Sequence, residues 1–219
     1  MRAFLRTSCA LAGALLVVAS SAMAAPILIT RDFVGGPPPP NDCAGVFGGQ
    51  RGIPCDVGFA LDPSAEVSPI IFKANFNNGA LGQTQSYFPS VTGGEFNVNG
   101  QPLASGNPGS SGTWSYTPGI DDPAVRFWVA KGGNQGFTLH WMVNEADQGL
   151  CAGNSYNLAC LNAALSVTSG NWSVPGEFGL SHMSWYDTGD VPNVPEPVTL
   201  ALLGTGVFGL GIARRRRSR

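Results

Sequence analysis

The sequence predicts an all-β fold, a β-sandwich or jelly roll, for the long central part of this 219-residue chain. Short runs of alternating apolar residues recur between turn-forming segments, which is typical of such folds. The chain also contains 30 glycines and 17 prolines, residues that favour turns. No long 3.6-residue apolar period occurs outside the two ends, and no internal repeat indicates a propeller or a solenoid.

The clearest predicted element is a hairpin formed by residues 124–131 and 136–143. Both runs alternate apolar residues on one face with a mixed set on the other, a period of two that indicates half-buried antiparallel strands. The intervening Gly-Gly-Asn-Gln at residues 132–135 supplies turn residues. The apolar faces are predicted to carry Val125, Phe127, Val129, Phe137, Leu139, Trp141 and Val143.

Weaker patterns predict the other strands. Residues 57–61 and 67–76 are expected to form the first two strands, and residues 85–91 and 94–98 a second hairpin around Thr92-Gly93. Further strands are predicted at residues 113–117, 164–168 and 179–186, and one helical turn at residues 156–163. Residues 35–58 and 100–112 are rich in turn residues and are expected to be connectors.

The first 24 residues have the pattern of a secretory signal peptide. Arg2 and Arg6 precede an apolar core at residues 10–19, and Ala22-Met23-Ala24 forms a small-residue exit. This order of a basic region, an apolar region and an A-x-A-like site predicts export, with cleavage after Ala24. The exported domain is therefore expected to begin at residue 25 and to extend to residue 193.

The exported domain is strongly acidic. Of the 14 acidic residues, 13 lie in residues 25–193, whereas only five of the 12 basic residues do, which leaves a net charge of −8. Such a surface argues against nucleic acid and anionic lipid as partners. About 170 residues suit one domain with a substantial core.

Four cysteines remain after loss of the signal peptide: Cys43, Cys55, Cys151 and Cys160. An even number in an exported chain predicts disulfides, for which three connectivities exist. We favour Cys43–Cys55 and Cys151–Cys160 because each pair closes a short loop rich in turn residues. A zinc site is disfavoured, since the spacing includes no C-x2-C pair and no nearby histidine. We predict no metal and no cofactor.

The candidates for acid–base chemistry are few. His140 is expected to face outward from its strand, and His182 to belong to a structural hydrogen-bond set. Ser181 adjoins His182, but strand neighbours point to opposite faces, and no G-x-S-x-G elbow is present. Carboxylates for glycoside hydrolysis or calcium lie in predicted loops. The pairs for hydrolysis are Asp121 and Asp122, Glu145 and Asp147, and Asp187 and Asp190, and the calcium candidates are residues 144–148 and 187–190. We assign no catalytic residue.

Trp128 is the best candidate for stacking on a sugar ring. It lies opposite the apolar face of its strand, so it would be exposed if that second face met solvent. The alternative is a core covered on both sides, in which Trp128 is buried, as aromatic side chains usually are in sandwiches.

The last 26 residues form a three-part tail. Pro195-Glu196-Pro197 is stiff and non-helical, and presents Glu196 on extended backbone. The 16 uncharged residues 198–213 would rise ~24 Å as a helix, short for a bilayer but able to span it. The basic cluster that follows would hold its end in the cytoplasm. It comprises Arg214, Arg215, Arg216, Arg217 and Arg219.

This order of motif, apolar helix and basic cluster resembles the PEP-CTERM sorting signal of Gram-negative bacteria. The resemblance rests on Pro195, Glu196 and Pro197, on residues 198–213, and on Arg214 to Arg217. It implies recognition by an exosortase, a membrane-embedded transpeptidase-like enzyme that would cut near the Pro-Glu-Pro. The mature protein would then be released or re-attached at the cell surface.

We therefore expect an exported structural or interaction protein of the cell surface or extracellular matrix, associated with biofilm or exopolysaccharide, and not an enzyme. Its expected partners are signal peptidase and exosortase during export, the inner membrane before processing, and exopolysaccharide afterwards. The first alternative is a lectin-like carbohydrate-binding module. The second is a hydrolase of matrix polysaccharide.

Overall fold

The computed structural model describes residues 25–36, 39–48, 55–64, 67–77, 80–103, 109–176 and 179–187, and contains two antiparallel sheets. In chain order the strands are β1 (Ile27–Phe33), β2 (Ile70–Asn77), β3 (Ala80–Ser86), β4 (Phe96–Val98), β5 (Gln101–Pro102), β6 (Ser111–Tyr116), β7 (Phe127–Gly132), β8 (Gly136–Val143), β9 (Ser169–Ser173) and β10 (Leu180–Tyr186). The larger sheet has the order β1-β8-β7-β10-β2-β3, and the smaller has the order β5-β4-β6-β9. Short 3-10 helices cover Gly93–Glu95 and Glu145–Cys151, and one short α-helix, α1, covers Leu158–Asn162. The prediction of a mostly β architecture is confirmed.

The hairpin predicted from the period of two is the centre of the larger sheet. β7 and β8 pair antiparallel, with Phe127 opposite Trp141 and Trp128 opposite His140. β8 has the predicted bounds. It begins at Gly136, whose φ of +103° favours glycine and where a Cβ would collide with the carbonyl oxygen of Phe33 on the neighbouring β1.

Two apolar cores lie on opposite faces of the larger sheet. The smaller sheet covers one face, where Phe96 stacks between Phe72 at 4.8 Å and Tyr116 at 4.5 Å between ring centroids. Connecting segments and α1 cover the other face, where Phe47 packs against Phe137 and Tyr156. The central strands are consequently buried on both faces, whereas the sequence pattern indicated strands buried on one.

Several predicted elements differ from the structure. Residues 57–61 form turns and not a strand, and the unpredicted β1 occupies one edge of the larger sheet. The second predicted hairpin is wrong: β3 ends at Ser86 in the larger sheet, and β4 begins at Phe96 in the smaller one. Val167 makes only an isolated bridge to Val125, and the neighbouring strand begins at Ser169.

Both favoured disulfides are present. Cys43–Cys55 and Cys151–Cys160 each join Cα atoms 4.9 Å apart. Both lie in the layer of connecting segments over the second core, where little regular structure would otherwise fix the chain. The second bridge joins a 3-10 helix to α1, and the side chain of Asn157 caps α1 by accepting a hydrogen bond from the Cys160 N–H.

The two predicted terminal segments, residues 1–24 and 198–213, lie outside the described residues. Within the described part of the chain, no helix has the length and apolar character needed to cross a membrane.

Candidate functional site

The alternation of β10 sorts its side chains between the two cores. Met183 and Trp185 pack in the core between the sheets. His182, Ser184 and Tyr186 alternate with them and face the layer of connecting segments, and all three are buried. This polar row, internal to a protein core, requires partners from the covering layer.

Asp42, from the covering layer, is the shared partner of these polar side chains. Its side chain is fully buried, and Oδ2 accepts hydrogen bonds from the Ser184 hydroxyl at 2.7 Å and the Tyr186 hydroxyl at 3.2 Å. His182 Nε2 lies 3.0 Å from the same oxygen. Lys73 Nζ donates to Oδ1 at 3.3 Å from the adjacent β2. We name these five residues the Asp42 cluster, and the expectation of a structural set for His182 agrees with it.

The charges in the cluster are matched internally. Burial by itself would raise the pKa of Asp42, but His182, Lys73 and the Ser184 hydroxyl together hold that pKa well below its usual range. Burial lowers the pKa of His182 despite the nearby carboxylate. Lys73 places a positive charge 3.3 Å from the other oxygen of Asp42. Burial, reinforced by the charge of Asp42, raises the pKa of Tyr186 far above its ordinary value.

A disulfide holds Asp42 in this position. Cys43 follows Asp42 directly, and both sulfurs of the Cys43–Cys55 bridge lie 3.7 Å from the Tyr186 hydroxyl. The same loop is folded on itself, since the Phe47 N–H donates to the Asp42 carbonyl at 3.0 Å. The disulfide and this backbone hydrogen bond hold the connecting segment over the sheet, and the Asp42 carboxylate is the polar contact between the segment and the sheet. The carboxylate acts there as an internal counter-ion.

Trp128 and His140 lie on the opposite face of the sheet, toward the smaller sheet. Trp128 is 0% exposed, and its Nε1 donates to the Asn171 carbonyl at 2.8 Å. The predicted sugar-stacking role of Trp128 is therefore wrong for this fold, because β9 covers the face that would have to meet a ligand. The alternative of a core covered on both sides is the one observed.

His140 is also buried, so the expectation that it faces outward is wrong. Its ring stacks on Trp128, with centroids 5.7 Å apart, and Nε2 accepts a hydrogen bond from the Ser173 N–H at 3.1 Å. Burial lowers the pKa of His140 to about 4. The histidine is consequently neutral at physiological pH and satisfies the backbone of β9.

The carboxylates that were predicted to form pairs lie in different environments. Asp121 is exposed in a turn at φ +66°, whereas Asp122 is buried and accepts a hydrogen bond from the Gly119 N–H at 2.6 Å. Glu145 and Asp147 lie in a 3-10 helix, and Asp187 is buried, with its N–H donating to the Pro69 carbonyl at 2.9 Å. Asp190 lies outside the described residues. Among the residues that the structure describes, no three His, Cys, Asp or Glu side chains are grouped to hold a metal ion.

Sequence reasoning identified one member of the Asp42 cluster and missed its centre. Asp42 lies in a segment interpreted as a connector, and Lys73 lies in a predicted strand without an assigned role. The available signal was the alternating polar row of β10, because three polar residues that share one buried face of a strand require a partner.

An all-β, disulfide-linked domain thus stands before a tail whose predicted processing residues, Pro195, Glu196, Pro197 and Arg214 to Arg217, lie outside the described residues. Residues 193–217 match the family model of the PEP-CTERM protein-sorting motif. The chain therefore carries a PEP-CTERM sorting signal, as its residues predicted, and is an exported protein processed by an exosortase. No significant match to the chain was found among curated proteins or among solved structures.

Proposed function

We propose that this protein is a structural or interaction component of the cell surface or extracellular matrix, without catalytic activity, that reaches its place by exosortase processing. The observation that carries the proposal is the match of residues 193–217 to the sorting motif. That motif directs export through a membrane-anchored intermediate in Gram-negative bacteria. The final location and the association with exopolysaccharide or biofilm are parts of the proposal.

The architecture of the domain supports a durable extracellular role. Two disulfides fix the covering layer, and each is expected to contribute roughly 2–4 kcal/mol by restricting the unfolded chain. The acidic domain is suited to remaining soluble in a hydrated matrix. The Asp42 cluster and the buried His140 use their titratable groups to hold the interior together.

The two alternatives have less support. A lectin-like module would need an exposed Trp128, but Trp128 is buried, as are Trp114, Trp141, Trp172 and Trp185. A polysaccharide hydrolase would need paired carboxylates, and in the first of the three candidate pairs Asp121 is exposed whereas Asp122 is buried and accepts a hydrogen bond from the Gly119 N–H. The structural or interaction role therefore remains the function that the domain supports best.

The proposal is tested by following the protein in its own host, with and without an active exosortase. We expect the wild-type chain to lose its arginine cluster and to be found outside the inner membrane. Replacement of Glu196 by Ala, or of Arg214 to Arg217 by Ser, should leave tail-containing protein in the membrane fraction, because recognition and orientation are lost. Asp190→Ala, a loss of charge upstream of the motif, serves as the matched control and should be processed normally.

Intact mass measures whether the arginine cluster has been removed, and cell fractionation measures where the protein is located. A mature protein that retains its arginines while the exosortase is active would contradict the sorting route. Normal processing followed by retention in the periplasm would contradict the surface or matrix role alone.

A further inference from the structure

The strand β3 is an open edge of the larger sheet. Six of its seven residues are exposed, and Leu81 alone is half-buried. The strand contains no proline, and residues 74–94 include no charged residue. Charges, prolines, short length and covering segments are the devices by which soluble proteins protect such edges from pairing with another chain. β3 is seven residues long, so it is not short, and it contains neither a charged residue nor a proline.

The other edges of the described sheets are protected. β1 carries Arg31 and Asp32, and its Thr30 carbonyl accepts a hydrogen bond from the Ser155 hydroxyl at 3.5 Å. β5 is only two residues long.

The edge strand β9 is occupied by side chains from the larger sheet. Its Asn171 carbonyl accepts the Trp128 indole N–H at 2.8 Å, and its Ser173 N–H donates to His140 Nε2 at 3.1 Å. Among the described strands, β3 is thus the edge that is both long and open.

The backbone direction at β3 follows from its register with β2. The Tyr87 N–H, just beyond the strand, donates to the Ile71 carbonyl at 2.9 Å, and Ser86 lies opposite Phe72. Along an antiparallel strand, the backbone N–H and C=O groups of successive residues point alternately toward the paired strand and away from it. Thr84 and Ser86 therefore direct their N–H and C=O groups away from β2, toward a strand that could be added.

We propose that β3 pairs antiparallel with the β3 of a second copy of this chain, about a two-fold axis near Thr84. Such a contact is self-complementary, because each strand offers the same outward donors and acceptors to the other. The charge pattern favours a second copy here, since a domain of net charge −8 repels itself elsewhere but has a neutral stretch at this edge. Tyr87 and Phe88, 45% and 37% exposed, add apolar surface at the end of the strand.

Pairing at β3 would give the proposed matrix protein a means of joining copies, and only this biological use rests on the proposed function. The association itself is measured on purified protein, whereas the matrix role is measured by location in the host. One can therefore fail without the other.

The test uses the processed protein purified from its host, examined by sedimentation velocity over a hundredfold range of concentration. We expect a concentration-dependent dimer. Thr84→Pro, which removes an outward N–H, and Thr84→Lys, which adds a charge at the axis, should each weaken dimerisation at least tenfold. Thr84→Val keeps the N–H and should dimerise like the wild type. Ser169→Lys places the same charge on the exposed start of β9 and should have no effect.

Amide exchange provides a second measurement that does not depend on any variant. The Thr84 and Ser86 amides of the wild-type protein should exchange more slowly as the concentration rises, while the amide of Thr30 on the opposite edge should not change. A wild-type protein that stays monomeric throughout would overturn the proposal. So would a dimer that Thr84→Lys leaves intact, because the contact would then lie elsewhere.

Discussion

Lys73 Nζ lies 3.3 Å from Oδ1 of Asp42, and this contact joins the central sheet to the disulfide-bonded segment that covers it. The carboxylate is fully buried, and the lysine side chain is 15% exposed. A buried ion pair contributes little net stability by itself, but loss of one partner leaves the other charge uncompensated. The consequence is a strong dependence of the fold on a residue of an irregular loop.

Asp42→Asn should therefore destabilise the domain by about 3 kcal/mol, because Lys73 loses its counter-ion. Denaturant unfolding of the processed protein measures the change. The exposed Asp121→Asn is the matched control and should change the free energy of unfolding by less than about 0.5 kcal/mol. Adding Lys73→Met to Asp42→Asn should recover part of the lost unfolding free energy. If the effects of the two single substitutions instead add in the double variant, the two residues are not coupled.

The Cys43–Cys55 disulfide should contribute more than its loop length implies. The two bridges span similar sequence separations, 12 and 9 residues, so restriction of the unfolded chain predicts similar contributions of roughly 3 kcal/mol. Only the first bridge holds Asp42 against its partners. Replacing Cys43 and Cys55 by Ala should thus cost more than replacing Cys151 and Cys160.

That excess should disappear in an Asp42→Asn background, which separates the role of the carboxylate from chain entropy. Unfolding of the intact protein and of the two disulfide-deletion variants, each with and without Asp42→Asn, forms the required cycle. An excess that persists without the carboxylate would place its origin in the apolar packing of the loop.

His140 should make stability fall in acid. Its pKa is about 4 in the folded protein, below the ordinary 6.5, so the unfolded state binds the proton more readily. The contribution of the neutral His140 to the unfolding free energy is fully present above pH 6.5 and is lost progressively as the pH falls toward 4. It amounts to up to about 3 kcal/mol, at 1.36 kcal/mol for each pKa unit.

His140→Gln, which keeps an acceptor for the Ser173 N–H, should flatten the profile of unfolding free energy between pH 6.5 and 4. Burial also lowers the pKa of His182, which acts in the same direction, so His182→Gln is the parallel variant. A slope unchanged by His140→Gln would mean that His140 can be protonated without opening the core.

Trp128 should act as a core residue. Trp128→Ala is expected to cost about 3–5 kcal/mol in unfolding free energy, since it empties a fully buried site and removes the bond to the Asn171 carbonyl. Trp128→Phe keeps most of the ring volume and should cost less. Glycan binding by the folded wild-type protein that Trp128→Phe abolishes without loss of stability would contradict this role.

The sequence by itself determined the features that are encoded locally. The period of two predicted β7 and β8, the short Cys spacings favoured the disulfides that are present, and the sorting motif is a linear signal matched at residues 193–217. Only the tertiary structure decided what covers each face of the sheet. A period of two shows which side chains share a face, but not whether that face meets water.

The second layer was therefore invisible in the pattern, and Trp128 and His140 had no local signal of burial. The Asp42 cluster joins residues as far apart as Asp42 and Tyr186, 144 positions along the chain. Such a contact is set by packing and by the need to satisfy buried polar groups, and no short stretch of sequence contains it.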